Sequence, residues 1–398
     1  MRISKKNLIS ATLLPLAALL VPAAALASEA MPFYTLQVKP MKERLGFFSP
    51  AEQEFGYRTM ERVFPTNKIA KGSKVREFKI AKNPIALEFM FQNRPYTADD
   101  FMRVQRTSAI LVIKDGTILL EKYGLGRRPG DRWTSFSIAK SVTSTLVGAA
   151  IKDGFIKSVD DQVTKYLPEL KGSAYDGVTL KQALSMSSGV DWNEDYQDPN
   201  SDFSKHATNM GKPFLQMMAA KKRVNPPGEK FAYSTGESNV IGAVVIAATG
   251  KTMSQYLSEK IWAPYGMEEE GVWMAANGQE TGGICFSATL RDYARFGQFI
   301  LENGMVDGKS VLPDGWVAEA TRTQVKGDRL YGYQWWPHED GTFEGIGIMG
   351  QSLLVDPASK TIVVIQSAWR KSGDPELREL QSAFKAAALA ASKQWTGN

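Results

Sequence analysis

Two stretches rich in branched aliphatic residues lie far apart in the 398-residue chain, and they constrain the fold more than any other feature. The first, SAILVIKDGTILLEKYG (residues 108–124), sets apolar runs on either side of Asp115-Gly116, a pair suited to a tight primed turn, and predicts a hairpin. The second, QSLLVDP followed by KTIVVIQSAW, predicts another hairpin through turn residues around Pro357 to Lys360. Between them the pattern is helical: Ser137 to Lys152, Leu180 to Ser187, the stretch after Gly236, Met253 to Ile261, and Leu290 to Glu302. Pro375 to Gln394, with strong helix formers and an Ala-rich stripe, predicts a closing helix. Strands near both ends with helices between them imply a sheet built from distant segments and an α+β chain. On this reading residues 28–154 and 285–398 form the α/β part and residues 155–284 a mainly helical one, with Ser28 to Arg106 wrapping a surface of the main domain.

The first residues are excluded from that fold. Arg2, Lys5 and Lys6 precede an apolar run from Leu8 to Leu20, and Ala25-Leu26-Ala27 reads as a small-residue cleavage site, so residues 1–27 are expected to be a signal peptide. The run is broken by Pro15 and Pro22 and no stop-transfer flank follows, which disfavours a membrane anchor. The mature protein is then expected to be exported, periplasmic or secreted, without stable membrane association. Its formal charge of +6 falls to +3 without the three leader cations, too little and too scattered for a nucleic-acid footprint. The single cysteine, Cys285, allows no intramolecular disulfide, and its small, apolar neighbours mark it as a packing residue.

Several chemistries drop out. Gly304 to Ser310 (GMVDGKS) has three residues between its glycines where a phosphate loop needs four, and GLGRRPG lacks the dinucleotide spacing. With one cysteine and two histidines, His206 and His338, both in polar loop-like contexts, a zinc site of usual composition is not expected. No Gly-x-Ser-x-Gly elbow occurs. A serine nucleophile would therefore need a base other than histidine, and a lysine with a lowered pKa can serve.

The stretch DRWTSFSIAKSVTSTLVGAA places Ser137 and Lys140 three residues apart, on one face of a helix start whose free N–H groups favour a developing oxyanion. The pattern alone also fits a buried helix: it recurs as Ser382 to Lys385 in the closing helix, where the lysine reads as a solvated charge. Further on, NPPGEKFAYSTGESNVIG puts Tyr233 between a Pro-Pro-Gly turn and an apolar helix, and GIGIMGQSLLVDP opens a strand with close-set glycines that let a backbone N–H approach a ligand.

These three segments, in this order, resemble the serine β-lactamase and penicillin-recognising enzyme superfamily, closest to the class C-like branch of carboxylesterases and 6-aminohexanoate-dimer (nylon-oligomer) hydrolases. The resemblance covers roughly Ile110 to Trp369, with support from ALSMSSGVDWNEDY, GGICFSATLRDYARFGQFILENG and YGYQWW. It implies a β-lactamase/transpeptidase-like fold, an antiparallel sheet flanked by terminal helices plus a helical subdomain. It also implies a serine hydrolase acting on a small-molecule ester or linear amide without metal or organic cofactor. By resemblance Ser137 is the acylated nucleophile, Lys140 its base and Tyr233 the proton relay. The backbone N–H groups of Ser137 and Gln351 would form the oxyanion hole, and Tyr196 would contact the substrate amide. Thr235, Ile348, Gly350 and Trp335 are further candidates for substrate contact. The aromatic run Tyr331, Tyr333, Trp335 and Trp336 either walls a cleft or fills core, and Glu194 and Asp195 read as solvated loop charges.

Two departures stand out. Tyr233-Ser234-Thr235 carries Thr235 where class C enzymes have asparagine, losing an amide that both donates and accepts. Ile348-Met349-Gly350 replaces Lys-Thr-Gly or His-x-Gly, removing a cation whose bond to a substrate carboxylate is worth about 1.5–3 kcal/mol. A less polar ester or linear amide is favoured on that ground, with a true β-lactamase or D,D-peptidase as alternative and a non-catalytic cell-wall sensor as a reading of another class.

Overall fold

The structure, a computed structural model, describes residues 48–325 and 330–397. The expected leader, residues 1–27, lies outside the described residues. The two hairpins meet in one sheet. β1 (Thr107–Lys114) and β2 (Thr117–Tyr123) turn at Asp115 and Gly116, whose φ values of 46° and 72° are those a primed turn needs. Late in the chain β3 (Phe343–Gly347), β4 (Gln351–Asp356) and β5 (Thr361–Ser367) run as an antiparallel meander. β5 then pairs antiparallel with β1, from Thr361 opposite Lys114 to Ser367 opposite Thr107. Two short strands complete seven: Trp336–Pro337 beside β3, and Lys79–Ile80, the one parallel neighbour, beside β2.

Alternation along these strands divides the core. Ile110, Val112, Leu354, Val363 and Ile365 pack on one face, while Leu111, Ile113, Leu353, Val355, Ile362 and Val364 pack on the other. Both faces are covered, so the strands read as continuous apolar runs rather than alternating ones. The helices that matter for the site are α1 (Ile138–Lys152), α2 (Thr235–Thr249), α3 (Leu290–Leu301) and α4 (Pro375–Gln394). α4 covers the first face through Leu380, Phe384 and Ala388, with Phe384 stacked on Phe101 at 4.0 Å between ring centroids. α3 brings Phe296 and Phe299 to the second, where α1 and α2 lie in the same core cluster.

A smaller sheet was not legible in advance. Thr66–Ile69, Gly271–Ala276, Phe286–Ala288 and Trp133–Thr134 pair in that order, and Gln279–Glu280 joins Gly271–Ala276. The segment from 155 to 284 thus adds strands to its helices. Trp133–Thr134 delivers the chain to Ser137, so this sheet sets the approach to the candidate nucleophile. Cys285 sits fully buried beside it, and burial pushes its thiol up to about 12. Among the described residues no helix is long and apolar enough to cross a membrane.

Candidate active site

Beyond Trp133–Thr134 the chain makes a sharp bend. Phe136 adopts φ 44°, a left-handed conformation that a bulky residue takes only under surrounding constraint, and the Cys285 N–H donates to its carbonyl at 3.2 Å. Ser137 follows at the N-cap of α1, with 5% of its surface exposed. One turn further, Lys140 is 1% exposed and its Nζ has three neighbours: Ser137 Oγ at 3.1 Å, Thr235 Oγ1 at 3.0 Å and the Gly283 carbonyl at 2.8 Å. Burial lowers its pKa to about 8, although Glu194 and Cys285 pull in the opposite direction. The Lys140 amine also lies 4.9 Å from the centre of the Tyr233 ring. Tyr233 stacks on Trp336 at 5.7 Å. Burial and then the charge of Glu194 push its phenol well up, while the neighbouring Ser137 hydroxyl pulls it partly back.

Glu194 is not the solvated charge read from the sequence. Its Oε1 accepts from Thr235 Oγ1 at 2.5 Å and from the Tyr196 hydroxyl at 3.0 Å, and its Oε2 accepts from the Thr235 N–H at 2.8 Å and from the Trp192 indole. Asp195 is exposed, as expected. Ser137, Glu194, Tyr196 and Tyr233 open onto a cleft of about 740 Å³ whose other walls come from Trp336, the end of β3 with its turn, Trp369 and α4.

A profile of the family described as Beta-lactamase matches residues 97–388, most of the chain. The chain belongs to the beta-lactamase family. It is 33% identical to the 6-aminohexanoate-dimer hydrolase of Paenarthrobacter ureafaciens over 298 residues, 68% of this chain and 74% of the relative. Its fold is similar to that of a protein provisionally assigned as a 6-aminohexanoate-dimer hydrolase from Bacillus anthracis (TM-score 0.78, 24% identity, 86% of this chain and 94% of the other). EstCE1, a hydrolase with promiscuous acyltransferase activity, also shares the fold (TM-score 0.61, 15% identity, 72% and 96% coverage). The architecture is the β-lactamase/transpeptidase-like one expected from the motifs.

Within this beta-lactamase-family cleft the candidates separate. Ser137, Tyr196, Tyr233, Ile348 and Gly350 line it, and Lys140 stands directly behind Ser137. Thr235 is fully buried, its hydroxyl engaged by Lys140 and Glu194, so it faces the lysine rather than substrate. Trp335 is core, 1% exposed and packed on Phe296 and Phe343, whereas Trp336 lines the cleft, because adjacent residues of an extended chain point to opposite sides. Gln351 also lies off the cleft. It pairs with Gly347 across the β3–β4 turn, and its Nε2 donates to the carbonyls of Ile348 (3.3 Å), Met349 (3.1 Å) and Ser367 (2.7 Å), buttressing the turn from behind.

The far end of the cleft carries charge that sequence reasoning missed. Lys385, read as solvated, is 13% exposed and donates to both oxygens of buried Glu344 at 2.9 and 2.7 Å, while Glu344 also takes the Ser352 hydroxyl and faces His338 at 3.2 Å. Lys385 and, next, the His338 bond hold the Glu344 carboxyl down at about 2 despite its burial. His338 lines the cleft, and His206 ends a short helix, Asp202–His206. Arg378 lines the cleft too and makes no ion pair among the described residues. One missed contributor did leave a signal. A Cβ on Gly283 would lie 2.9 Å from Thr235 Cγ2, and one on Gly282 2.3 Å from the Ser238 carbonyl, so the Gly-Gly of TGGICF marks a close approach.

Proposed function

We propose that this protein is a serine hydrolase that opens an ester or linear amide bond through an acyl-enzyme on Ser137. The observation that carries the reading is the buried Lys140 amine, 3.1 Å from Ser137 Oγ and with a pKa lowered to about 8, near enough to neutrality for a base. Ser137 Oγ forms a bond to the substrate carbonyl carbon as its proton passes to Lys140. The negative charge that develops on the carbonyl oxygen is met by the backbone N–H groups of Ser137 and Ile348, both cleft-lining residues whose amides donate to no other group among the described residues. The bond to the leaving nitrogen or oxygen breaks as that atom takes a proton from the Tyr233 hydroxyl, which is resupplied from the Lys140 ammonium. Water then attacks the acyl carbon, giving one proton back through Tyr233 and Lys140, and the Ser137 oxygen leaves with it.

The cleft walls favour a flexible substrate. Ile346, Ile348, Trp336 and Trp369 give apolar sides suited to a methylene chain, and Arg378 at the α4 end offers a cation for an acidic terminus. The cleft thus holds a cation although Ile348-Met349-Gly350 supplies none, so carboxylate-bearing β-lactams belong in the test. The 33% identical relative named as a 6-aminohexanoate-dimer hydrolase supports the amide side of the reading. The apolar, cation-led residues 1–27 support export of the mature enzyme, which N-terminal sequencing of the cell-derived protein would check.

The test is a substrate panel of nitrophenyl esters, linear 6-aminohexanoate dimer and nitrocefin, run with the wild type and Ser137→Ala. The proposal expects ester or linear amide turnover that Ser137→Ala abolishes. Nitrocefin as the best substrate would favour the β-lactamase reading, and no turnover by folded wild type would favour a binding protein.

A further inference from the structure

The contacts of Lys140 contain a problem of hydrogen-bond direction, and its solution lies in a carboxylate at the cleft wall, Glu194. A neutral lysine amine has two N–H groups and one lone pair. Its three neighbours are the Gly283 carbonyl, which only accepts, and the hydroxyls of Thr235 and Ser137, each of which can donate or accept. For Lys140 to take the Ser137 proton its lone pair must face Ser137, so both N–H groups must be committed elsewhere. That requires Thr235 to act as an acceptor.

Thr235 is held in that role. Its hydroxyl hydrogen goes to Glu194 Oε1 at 2.5 Å, which leaves only lone pairs facing Lys140 Nζ at 3.0 Å. We infer that Glu194, acting through Thr235, is a positioning residue that fixes the direction of the Ser137–Lys140 hydrogen bond and aims the amine lone pair at the nucleophile. The inference rests on the serine hydrolase reading above and deepens it.

The surroundings of Glu194 call for a carboxylate in particular. Four donors converge on it: the Thr235 hydroxyl, the Thr235 N–H, the Tyr196 hydroxyl and the Trp192 indole N–H. A carboxylate accepts at about four lone-pair sites and donates nothing, whereas a glutamine has one accepting oxygen and a donating NH₂. The two N–H donors on the Oε2 side cannot reverse. A glutamine would therefore place its oxygen there and its NH₂ against the two hydroxyls, turning the Thr235 hydrogen back toward Lys140. Thr235 thereby does the work of the asparagine it replaces: an amide would donate and accept by itself, while a hydroxyl needs a partner to set its polarity. The titratable groups facing Lys140 are Glu194, Tyr233 and Cys285, and of these Glu194 is the one that raises its pKa most.

The test compares Thr235→Val, Thr235→Ser and Glu194→Gln with wild type, measuring kcat and KM on a nitrophenyl ester across the pH range. Thr235→Val and Glu194→Gln are expected to lose roughly 100-fold in kcat, the scale of a misdirected catalytic group, with KM within a few-fold. The acid limb should move to lower pH in both, because the ammonium has lost an acceptor or a nearby negative charge. Thr235→Ser, which keeps the hydroxyl, should recover most of the rate. The inference is overturned by Thr235→Val turning over at nearly the wild-type rate, by Thr235→Ser falling as far as Thr235→Val, or by a reduced rate with an unmoved limb. If the wild type itself neither turns over ester nor is labelled at Ser137 by a fluorophosphonate, the serine hydrolase reading has failed instead.

Discussion

Replacing Lys140 by methionine, similar in length and without charge, exposes the energetic consequence of burying this amine. Its pKa falls from the ordinary 10.5 to about 8, a gap equivalent to about 3 kcal/mol of bias against the charged form in the folded state. The sign follows from proton counts. Below about pH 8 Lys140 is protonated in both folded and unfolded chains, and the folded state carries the whole penalty. Between about pH 8 and 10.5 the folded chain has released the proton and the unfolded chain has not, so wild-type stability rises with pH by about 1.4 kcal/mol per pH unit from this group alone. Methionine removes that dependence. It also strands the Gly283 carbonyl, at about 1 kcal/mol or more, while Thr235 Oγ1 keeps its bond to Glu194, so the difference at neutral pH mixes opposing terms. The slope is the diagnostic quantity. Urea unfolding followed by tryptophan fluorescence, wild type beside Lys140→Met, should show the wild type gaining about 3 kcal/mol on the variant as pH rises from about 8 to 10.5. A difference that stays flat across that window would refute the claim that Lys140 is desolvated and poised as a base.

Three further outcomes follow from the geometry. The pH profile of kcat/KM should rise through about 8 as Lys140 loses its proton; a limb in the carboxylate range would identify a different base. Trp335→Ala should cost about 3–5 kcal/mol of stability as a core truncation, whereas Trp336→Ala should leave stability near wild type and slow turnover by unstacking Tyr233; denaturation curves and ester kinetics on the pair decide this. Arg378→Ala should raise KM about tenfold for substrates with a terminal carboxylate and leave neutral esters unaffected, the lower end for a charged hydrogen bond because the side chain is exposed.

The parts legible in the sequence were those governed by local pattern. Asp115-Gly116 marked its turn, the Ala-rich run from Pro375 to Gln394 became α4 with those same bounds, and Ser137 and Lys140 met because one helical turn places them on one face. What stayed hidden depends on partners distant in sequence. The strands of the small sheet are two to six residues long, and their pairing comes from tertiary context. Glu194 sits in a polar loop and looks solvated until Thr235, 41 residues on, brings two donors to it. Lys385 likewise finds Glu344 only across the fold. Trp335 and Trp336 differ by register alone, which hydrophobicity does not reveal. Gln351 lies three residues beyond the cleft-lining Ile348, because the side chain that braces a tight turn and the backbone that faces the cleft belong to different residues.

The most direct test of the central claim is intact-mass spectrometry of the purified protein and of Ser137→Ala after treatment with a fluorophosphonate. The account predicts a single added phosphonyl group on the wild type, mapped by peptide sequencing to Ser137, and none on the variant. An unlabelled wild type that is folded, or a label that survives Ser137→Ala, would contradict the assignment of Ser137 as a nucleophile activated by Lys140.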